Sequence, residues 1–271
     1  FNDANKWGLK ARTLFDFEDA GEFLLSVDYS KEDTDCCALA VIDYDGLSTL
    51  NSPLTENPSA EWAAQYGFTY SSFQNNDPQG ANQPGADPFG DKYWVSADTY
   101  NKVDVGGVAL EWNYDLPEDH TLTFINAWRT YGSDSGYDGD FTAYDAVIGT
   151  TDVNLDQYSS ELRIASAGGE TIDYQAGLYA YYSEFDSEGT FTMLPSLLEK
   201  IGLIGIFPNG SLNIDDNTYT TTSYAAFGQV TWNINDQWSS TLGLRWTREI
   251  KERDGSQITQ GADPIFGGDC S

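Results

Sequence analysis

The chain has 271 residues, with 43 Asp and Glu against 13 Lys and Arg, a formal net charge of −30. With no basic face to offer, it is excluded from binding nucleic acid or anionic polymers. Nor does it hold an apolar run of about 18 residues, so no transmembrane helix can form.

Aromatic residues make up 14 %, with 8 Trp and 17 Tyr, as expected where aromatic girdles line a membrane interface. The mean hydropathy of −0.45 does not oppose a membrane location. In a barrel only alternate strand residues meet lipid, while polar loops set the average. The acidic charge falls mainly in the long segments between strand pairs, where solvation makes self-repulsion tolerable.

In chain order, the first strand is expected over about Lys6–Phe17 and the second over Glu22–Lys31. The second places Phe23, Leu25, Val27 and Tyr29 on one face, with Ser26, Asp28 and Ser30 on the other. Leu24 falls on the polar face. A segment from Asp33 to Lys102, rich in Pro, Gly, Asn and Gln, reads as a long loop. The third strand alternates Val108, Leu110, Trp112, Tyr114 and Leu116 with Ala109, Glu111, Asn113 and Asp115. The fourth, His120–Tyr131, sets Leu122, Phe124 and Trp128 against Thr121, Thr123 and Arg129, with Asn126 on the wrong face.

After a loop at Gly132–Thr151, Tyr158, Ser160, Leu162 and Ile164 alternate with Gln157, Ser159, Glu161 and Arg163. A sixth strand sets Tyr174, Ala176, Leu178, Ala180 and Tyr182 against Asp173, Gln175, Gly177 and Ser183. A third long loop spans about Glu188–Asn217. The last two strands cover Thr220–Asn233 and Gln237–Glu252, the latter pointing Arg245 and Glu249 away from Trp238, Leu242, Leu244 and Trp246.

Four short polar turns join these pairs: Glu18–Gly21, Pro117–His120, Ala167–Glu170 and Asn233–Asp236. Short turns at one end and long loops at the other are the plan of an outer-membrane β-barrel. Strands of ten or more residues suit a tilted crossing, and closure is required because lipid cannot satisfy backbone groups. The polar faces carry Glu111, Arg129, Glu161, Arg163, Arg245 and Glu249, which belong inside. Phe23, Leu25, Leu110, Trp112, Leu162, Leu178, Leu244 and Trp246 belong outside. Small inward residues such as Ser159, Gly177, Thr241 and Gly243 cannot fill a closed eight-stranded barrel. An open sheet, an arc of a wider wall, is therefore expected. The chain starts without a Met or signal peptide and stops inside a loop, which reads as a segment of a longer protein.

Several stretches resemble TonB-dependent outer-membrane receptors. They are Tyr158-Ser159-Ser160-Glu161-Leu162-Arg163-Ile164-Ala165-Ser166 with Asp173-Tyr174-Gln175-Ala176-Gly177-Leu178-Tyr179, and Ser223-Tyr224-Ala225-Ala226-Phe227-Gly228-Gln229 with Leu242-Gly243-Leu244-Arg245-Trp246-Thr247-Arg248-Glu249. Trp7-Gly8-Leu9-Lys10-Ala11-Arg12 and Leu110-Glu111-Trp112-Asn113-Tyr114 fit the same family. The resemblance implies an all-β, antiparallel transmembrane segment of about eight strands from a 22-stranded barrel around an N-terminal plug. It also implies uptake of a scarce ligand of the ferric siderophore, haem, cobalamin or oligosaccharide class, with energy from a TonB complex acting through the plug. The plug and the remaining strands lie outside this chain. The location implied is the bacterial outer membrane, among lipid and lipopolysaccharide, with long loops extracellular and short turns periplasmic. The competing readings are a passive porin and a small structural or adhesive eight-stranded barrel.

No enzyme constellation emerges. His120, the single His, sits beside a short turn, away from partners in long loops. Glu111, Arg129, Arg163 and Arg245 are the candidates for facing a ligand or plug, with cross-strand pairing to Glu161 or Glu249 as the competing role. No cofactor is expected. Asp134-Ser135-Gly136-Tyr137-Asp138-Gly139-Asp140 and Asp43-Tyr44-Asp45-Gly46 carry hard carboxylates beside Gly, ligands of the Ca²⁺ type, but neither completes a Ca²⁺ loop. Cys36, Cys37 and Cys270 leave a vicinal bridge, a long-range bridge or free thiols open. Met193–Phe207 forms an apolar patch, with a short helix expected from Pro195. Loop aromatics from Trp62 to Trp94 could be a ligand platform or a loop core.

Overall fold

A computed structural model describes residues 4–17, 21–35, 97–139, 147–195, 198 and 210–261. Cys36, Cys37, Cys270, the Asp43–Gly46 motif and the loop aromatics lie outside them. Eight strands form one sheet: β1 (Asn5–Phe17), β2 (Gly21–Thr34), β3 (Tyr100–Leu116), β4 (His120–Asp138), β5 (Val147–Ala165), β6 (Ile172–Met193), β7 (Ser211–Asn235) and β8 (Trp238–Gln260). Each is antiparallel to its sequence neighbour, in the order β1 to β8. Among the described residues β1 and β8 are not paired to each other, so the sheet is open, as expected from its small inward residues.

The hairpin turns fall where their residues dictate. Glu118 and Asp119 take left-handed φ of 62° and 54° in the turn between β3 and β4, a conformation that the short side chain of Asp tolerates. Gly168 and Gly169 have φ of 81° and 80° between β5 and β6. The Asp173 carboxylate accepts from the backbone N–H groups of Gly169 (3.1 Å) and Glu170 (3.0 Å) and from Asn233 (2.8 Å). These bonds, the Glu170 amide foremost, hold its pKa below the usual carboxylate range, against a smaller opposing effect of burial. Asn235 closes the last turn, accepting from the Gln237 and Trp238 amides at 2.9 and 3.0 Å.

At the other end the strands outrun the alternation seen in sequence. The expected loop Gly132–Thr151 is strand through Asp138 and again from Val147, and β6 and β7 extend to Met193 and back to Ser211. Apolar alternation identifies a strand only while one face is buried. Beyond that, backbone pairing continues under polar side chains that bond along the sheet, as in Thr150–Thr190 (2.6 Å), Thr218 to Asp186 (2.6 Å) and Thr259 to Asn213 (2.7 Å). The candidate Ca²⁺ segment Asp134–Asp138 is therefore ladder rather than loop, and Asp134 accepts from the Tyr100 hydroxyl at 3.0 Å. Among the described residues no group of three or more His, Cys, Asp or Glu is placed to hold a metal ion. Past β6, the Leu198 amide donates to the Leu194 carbonyl (3.2 Å) and Leu198 is fully buried, so this part of the apolar stretch begins as a packed helical turn.

The register sorts side chains onto two faces. Phe23, Trp112, Phe124, Leu162, Leu178, Ala226 and Trp246 are successive cross-strand partners on one face. Leu24, Glu111, Ile125, Glu161, Tyr179, Ala225 and Thr247 form the adjacent row on the other. Crowding identifies the concave side, because side chains converge there and splay on the convex side. Thr123, Ser183, Ser223 and Ala225 are 5–9 % exposed and all lie on the charged face, whereas Leu178 on the opposite face is 60 % exposed. The charged face is the concave one.

A row of partners through Lys10, Asp28, Gly107, Arg129, Gln157, Ser183, Thr221 and Lys251 meets each successive hairpin two residues further from its turn. One residue of stagger per strand, about 3.3 Å of rise over about 4.8 Å of spacing, tilts the strands by about 35°. That is the tilt of a barrel wall. The apolar face of β6, Ile172 to Tyr182, then stands about 27 Å tall, close to the apolar band of an outer-membrane barrel.

Candidate functional site: the polar concave face

The four residues expected to face a ligand or plug share the concave face. Of the four, Arg163 and Arg245 lie closest to the turns, in one row, with Glu111 in the next and Arg129 two rows beyond that. Only Arg163 meets one of the carboxylates expected, Glu161. Arg129 pairs neither Glu161 nor Glu249. It reaches over β3 to β2, where Nη1 meets both Asp28 oxygens at 2.7 and 2.8 Å. Gly107 stands between them in the register, and a Cβ there would lie 2.6 Å from Arg129 Cδ. The missing side chain gives the guanidinium its path.

Arg163 approaches Glu161 along its own strand at 3.6 Å rather than across strands, and Glu249 pairs with Lys251 at 3.1 Å. In a strand, residues two apart share a face, so neighbours along the chain compete with neighbours across it. Glu111 accepts from Asn113 Nδ2 at 2.9 Å, and Asn113 Oδ1 accepts from the Thr123 hydroxyl at 2.8 Å. Arg245 has no carboxylate partner among the described residues. It lies over the rings of Tyr179 (5.7 Å) and Phe227 (5.6 Å) and donates to Thr247 Oγ1 (3.2 Å), a cation–π arrangement that leaves its charge available. Gly177 is the seat for that ring. A Cβ there would meet Phe227 Cζ at 2.4 Å, so this small residue serves ring packing rather than an open wall.

Sequence reasoning missed Asp28 as a partner, the Tyr179–Phe227 platform, and a second cluster towards the long-loop end. There Phe185 and Tyr219 rings lie 5.9 Å apart, Arg253 sits 5.6 Å over Tyr219, and Arg253 donates to Asn217 at 2.7 Å. A signal existed, since all these residues alternate onto the polar face. Their aromatic character hid it, because an inward Phe reads as a break in pattern.

The convex face ends in two aromatic borders. Near the turns, Phe23 stacks on Trp112 (5.4 Å) and meets Phe17 edge-on (5.6 Å). His120 bonds the Tyr174 hydroxyl at 2.7 Å, as a turn-side residue. Towards the long loops, ring tips are tied to carboxylates beyond the apolar band: Tyr29 to Asp104, the Trp128 indole N–H to Asp156 (2.9 Å), and the Tyr182 hydroxyl to Glu184 (2.7 Å). Arg248, on the edge strand β8, lies on this face in the row of Tyr224.

A tilted antiparallel wall, apolar and twice belted with aromatics outside, charged inside, defines a segment of an outer-membrane β-barrel. Residues 43–263 match the TonB dependent receptor-like, beta-barrel family, and the chain belongs to that family. No curated protein matches it in sequence. Its fold is similar to the ferric yersiniabactin uptake receptor FyuA from Yersinia pestis, with a TM-score of 0.57 and 15 % identity over 95 % of this chain and 33 % of that one. The ferric-catecholate import receptor Fiu from E. coli K12 aligns at a TM-score of 0.42 and 8 % identity, over 94 % of this chain and 43 % of that one. The chain therefore spans about a third of FyuA. It is a segment of the barrel domain of that family.

Proposed function

We propose that this chain forms part of the wall of a receptor that takes up a ferric siderophore, driven by TonB. The long loops face the exterior and the short turns the periplasm. Edges β1 and β8 pair with further strands of the same protein, because an unpaired edge cannot stand in lipid. The concave face then surrounds a plug, and Arg245 and Arg163 near the turns meet acidic groups on it. The observation that carries the ligand class is the Phe185–Tyr219–Arg253 cluster, on the concave face towards the long loops. It offers ring faces and a cation, suited to an aromatic, anionic chelate. The membrane partners are outer-membrane lipid and lipopolysaccharide.

The test is radio-iron uptake by cells dependent on the full-length receptor, offered ferric siderophores under iron limitation. The expected result is uptake abolished by a proton uncoupler or by loss of TonB, and weakened by Tyr219→Ala with Arg253→Ala. Uptake insensitive to the uncoupler would establish a passive porin instead.

A further inference from the structure

One row of the concave face breaks its polarity. From β3 to β7 the successive cross-strand partners Val105, Tyr131, Leu155, Phe185 and Tyr219 are apolar or aromatic, and the row ends on Arg253 in β8. The row one pleat nearer the turns is polar, with Arg129, Gln157, Ser183 and Thr221. One pleat towards the long loops lie Ser133, Ser187 and Asn217, with Val103 and Val153 widening the strip in β3 and β5.

Lipid does not account for this strip, because it lies on the concave side. Tyr131, Leu155 and Phe185 also stand three residues further from the short turns than the outer border rings Trp128, Tyr158 and Tyr182. At a rise of about 3.3 Å and a tilt of about 35°, that is about 8 Å beyond the border. Val105, Tyr131, Leu155 and Phe185 are half-buried, and Tyr219 is 39 % exposed. A contiguous apolar surface facing a watery lumen marks a place where something apolar is received.

Charge gives the occupant a direction. On the neighbouring rows Arg129 is held by Asp28 and Lys251 by Glu249. Arg253 donates to the neutral Asn217 side chain and has no carboxylate partner among the described residues. Between β3 and β8 the strip thus offers a free cation at one end, beside the Phe185–Tyr219 ring pair. From Phe185 to Val105 the rest of the strip crosses three strand spacings, about 14 Å.

We propose that this strip receives an amphiphilic ferric chelate. Its anionic head sits at Phe185, Tyr219 and Arg253, and its apolar tail lies along Leu155, Tyr131 and Val105. The proposal rests on the uptake reading above and narrows it from siderophores at large to those with an elongated apolar arm. A plug seated on the strip is the competing occupant. The position towards the long loops, where a ligand enters, and the unneutralised cation favour the chelate.

The test measures equilibrium binding to the full-length receptor in lipid nanodiscs by tryptophan fluorescence. The probes are ferric complexes of one anionic citrate–hydroxamate headgroup, N-acylated with acetyl, octanoyl or dodecanoyl. A half-covered methylene is worth about a twofold gain in affinity. The octanoyl form is therefore expected to bind wild type more than about tenfold tighter than the acetyl form. Leu155→Asn with Val105→Ser should lower that ratio several-fold. Arg253→Gln should weaken every probe by about tenfold, and by less at high salt. Partition into the disc cancels between wild type and variant, and heat-modifiable gel migration checks that each barrel folds. Affinity independent of tail length, or no binding of the dodecanoyl form, would overturn the proposal. So would an unchanged ratio in the Leu155–Val105 variant, the outcome expected if a plug covers the strip. Uptake is scored separately. Tail-dependent binding with uncoupler-insensitive uptake contradicts the transport reading alone. Uncoupler-sensitive uptake of the acetyl form with no gain from a tail contradicts this inference alone.

Discussion

Leu162 and Arg163 are adjacent in β5 and opposite in consequence. Leu162 is 41 % exposed on the convex face, between Phe124 and Leu178, two pleats below the Tyr158 border. Replacing it with Arg sets a guanidinium in hydrocarbon near mid-depth, at a cost of roughly 2–4 kcal/mol. That shifts the folded population in lipid about thirty- to thousandfold. Arg163 lies on the concave face, one-third exposed, with Glu161 at 3.6 Å. A half-solvated pair at that distance is worth about 0.5 kcal/mol or less, so Arg163→Leu is expected to be nearly neutral. Exchanging both residues keeps the composition and inverts the pattern, and should cost about as much as Leu162→Arg alone. The assay is reversible denaturant unfolding of the full-length receptor in phospholipid vesicles. If Leu162→Arg were tolerated while Arg163→Leu destabilised the barrel, the faces would be reversed and the reasoning refuted.

Gly107→Ala should displace Arg129 from Asp28, and the loss should shrink in an Arg129→Met background, where the side chain it obstructs is shorter and uncharged; an unchanged cost in the double-mutant cycle would show that Gly107 serves the backbone alone. Asp173 has a lowered pKa, so its hold on the β5–β6 turn is present above the ordinary carboxylate pKa and lost as pH falls through the depressed value. Amide exchange at Gly169 and Glu170 should accelerate in that acid range, and Asp173→Asn should remove the pH dependence; acid-insensitive protection would contradict it. Tyr100, whose pKa is raised first by its hydrogen bond to Asp134, should titrate in ultraviolet absorbance at higher pH than in an Asp134→Asn variant, and coincident curves would deny the bond.

The wall was legible in the chain because lipid enforces alternation. Phe23, Leu110, Leu162, Leu178 and Leu244 each fixed a face, and the structure keeps every one of them there. What failed was the outer third of the strands. There Asp134, Thr150, Asp186 and Thr218 sit in regular ladders although no apolar residue marks them, because backbone pairing needs no apolar face. The side-chain network was legible only in outline. Arg129 and Arg163 could be placed on the polar face, but not which carboxylate each meets. Asp28 lies 101 residues from Arg129 in sequence, and it becomes a neighbour only because Gly107 clears the strand between.

We propose that these eight strands are an arc of a wider barrel, continued on both sides by strands of the same protein. Both edge strands are exposed along their whole length here, so each offers unpaired backbone groups that lipid would not tolerate. Amide hydrogen exchange on the full-length receptor in lipid measures this directly. Leu9–Thr13 in β1 and Leu242–Trp246 in β8 are expected to exchange as slowly as Thr123–Ala127 in the middle of the sheet, and engineered cysteines at Ala11 and Leu244 are expected not to cross-link. Fast exchange at either edge, or a cross-link joining β1 to β8, would contradict it.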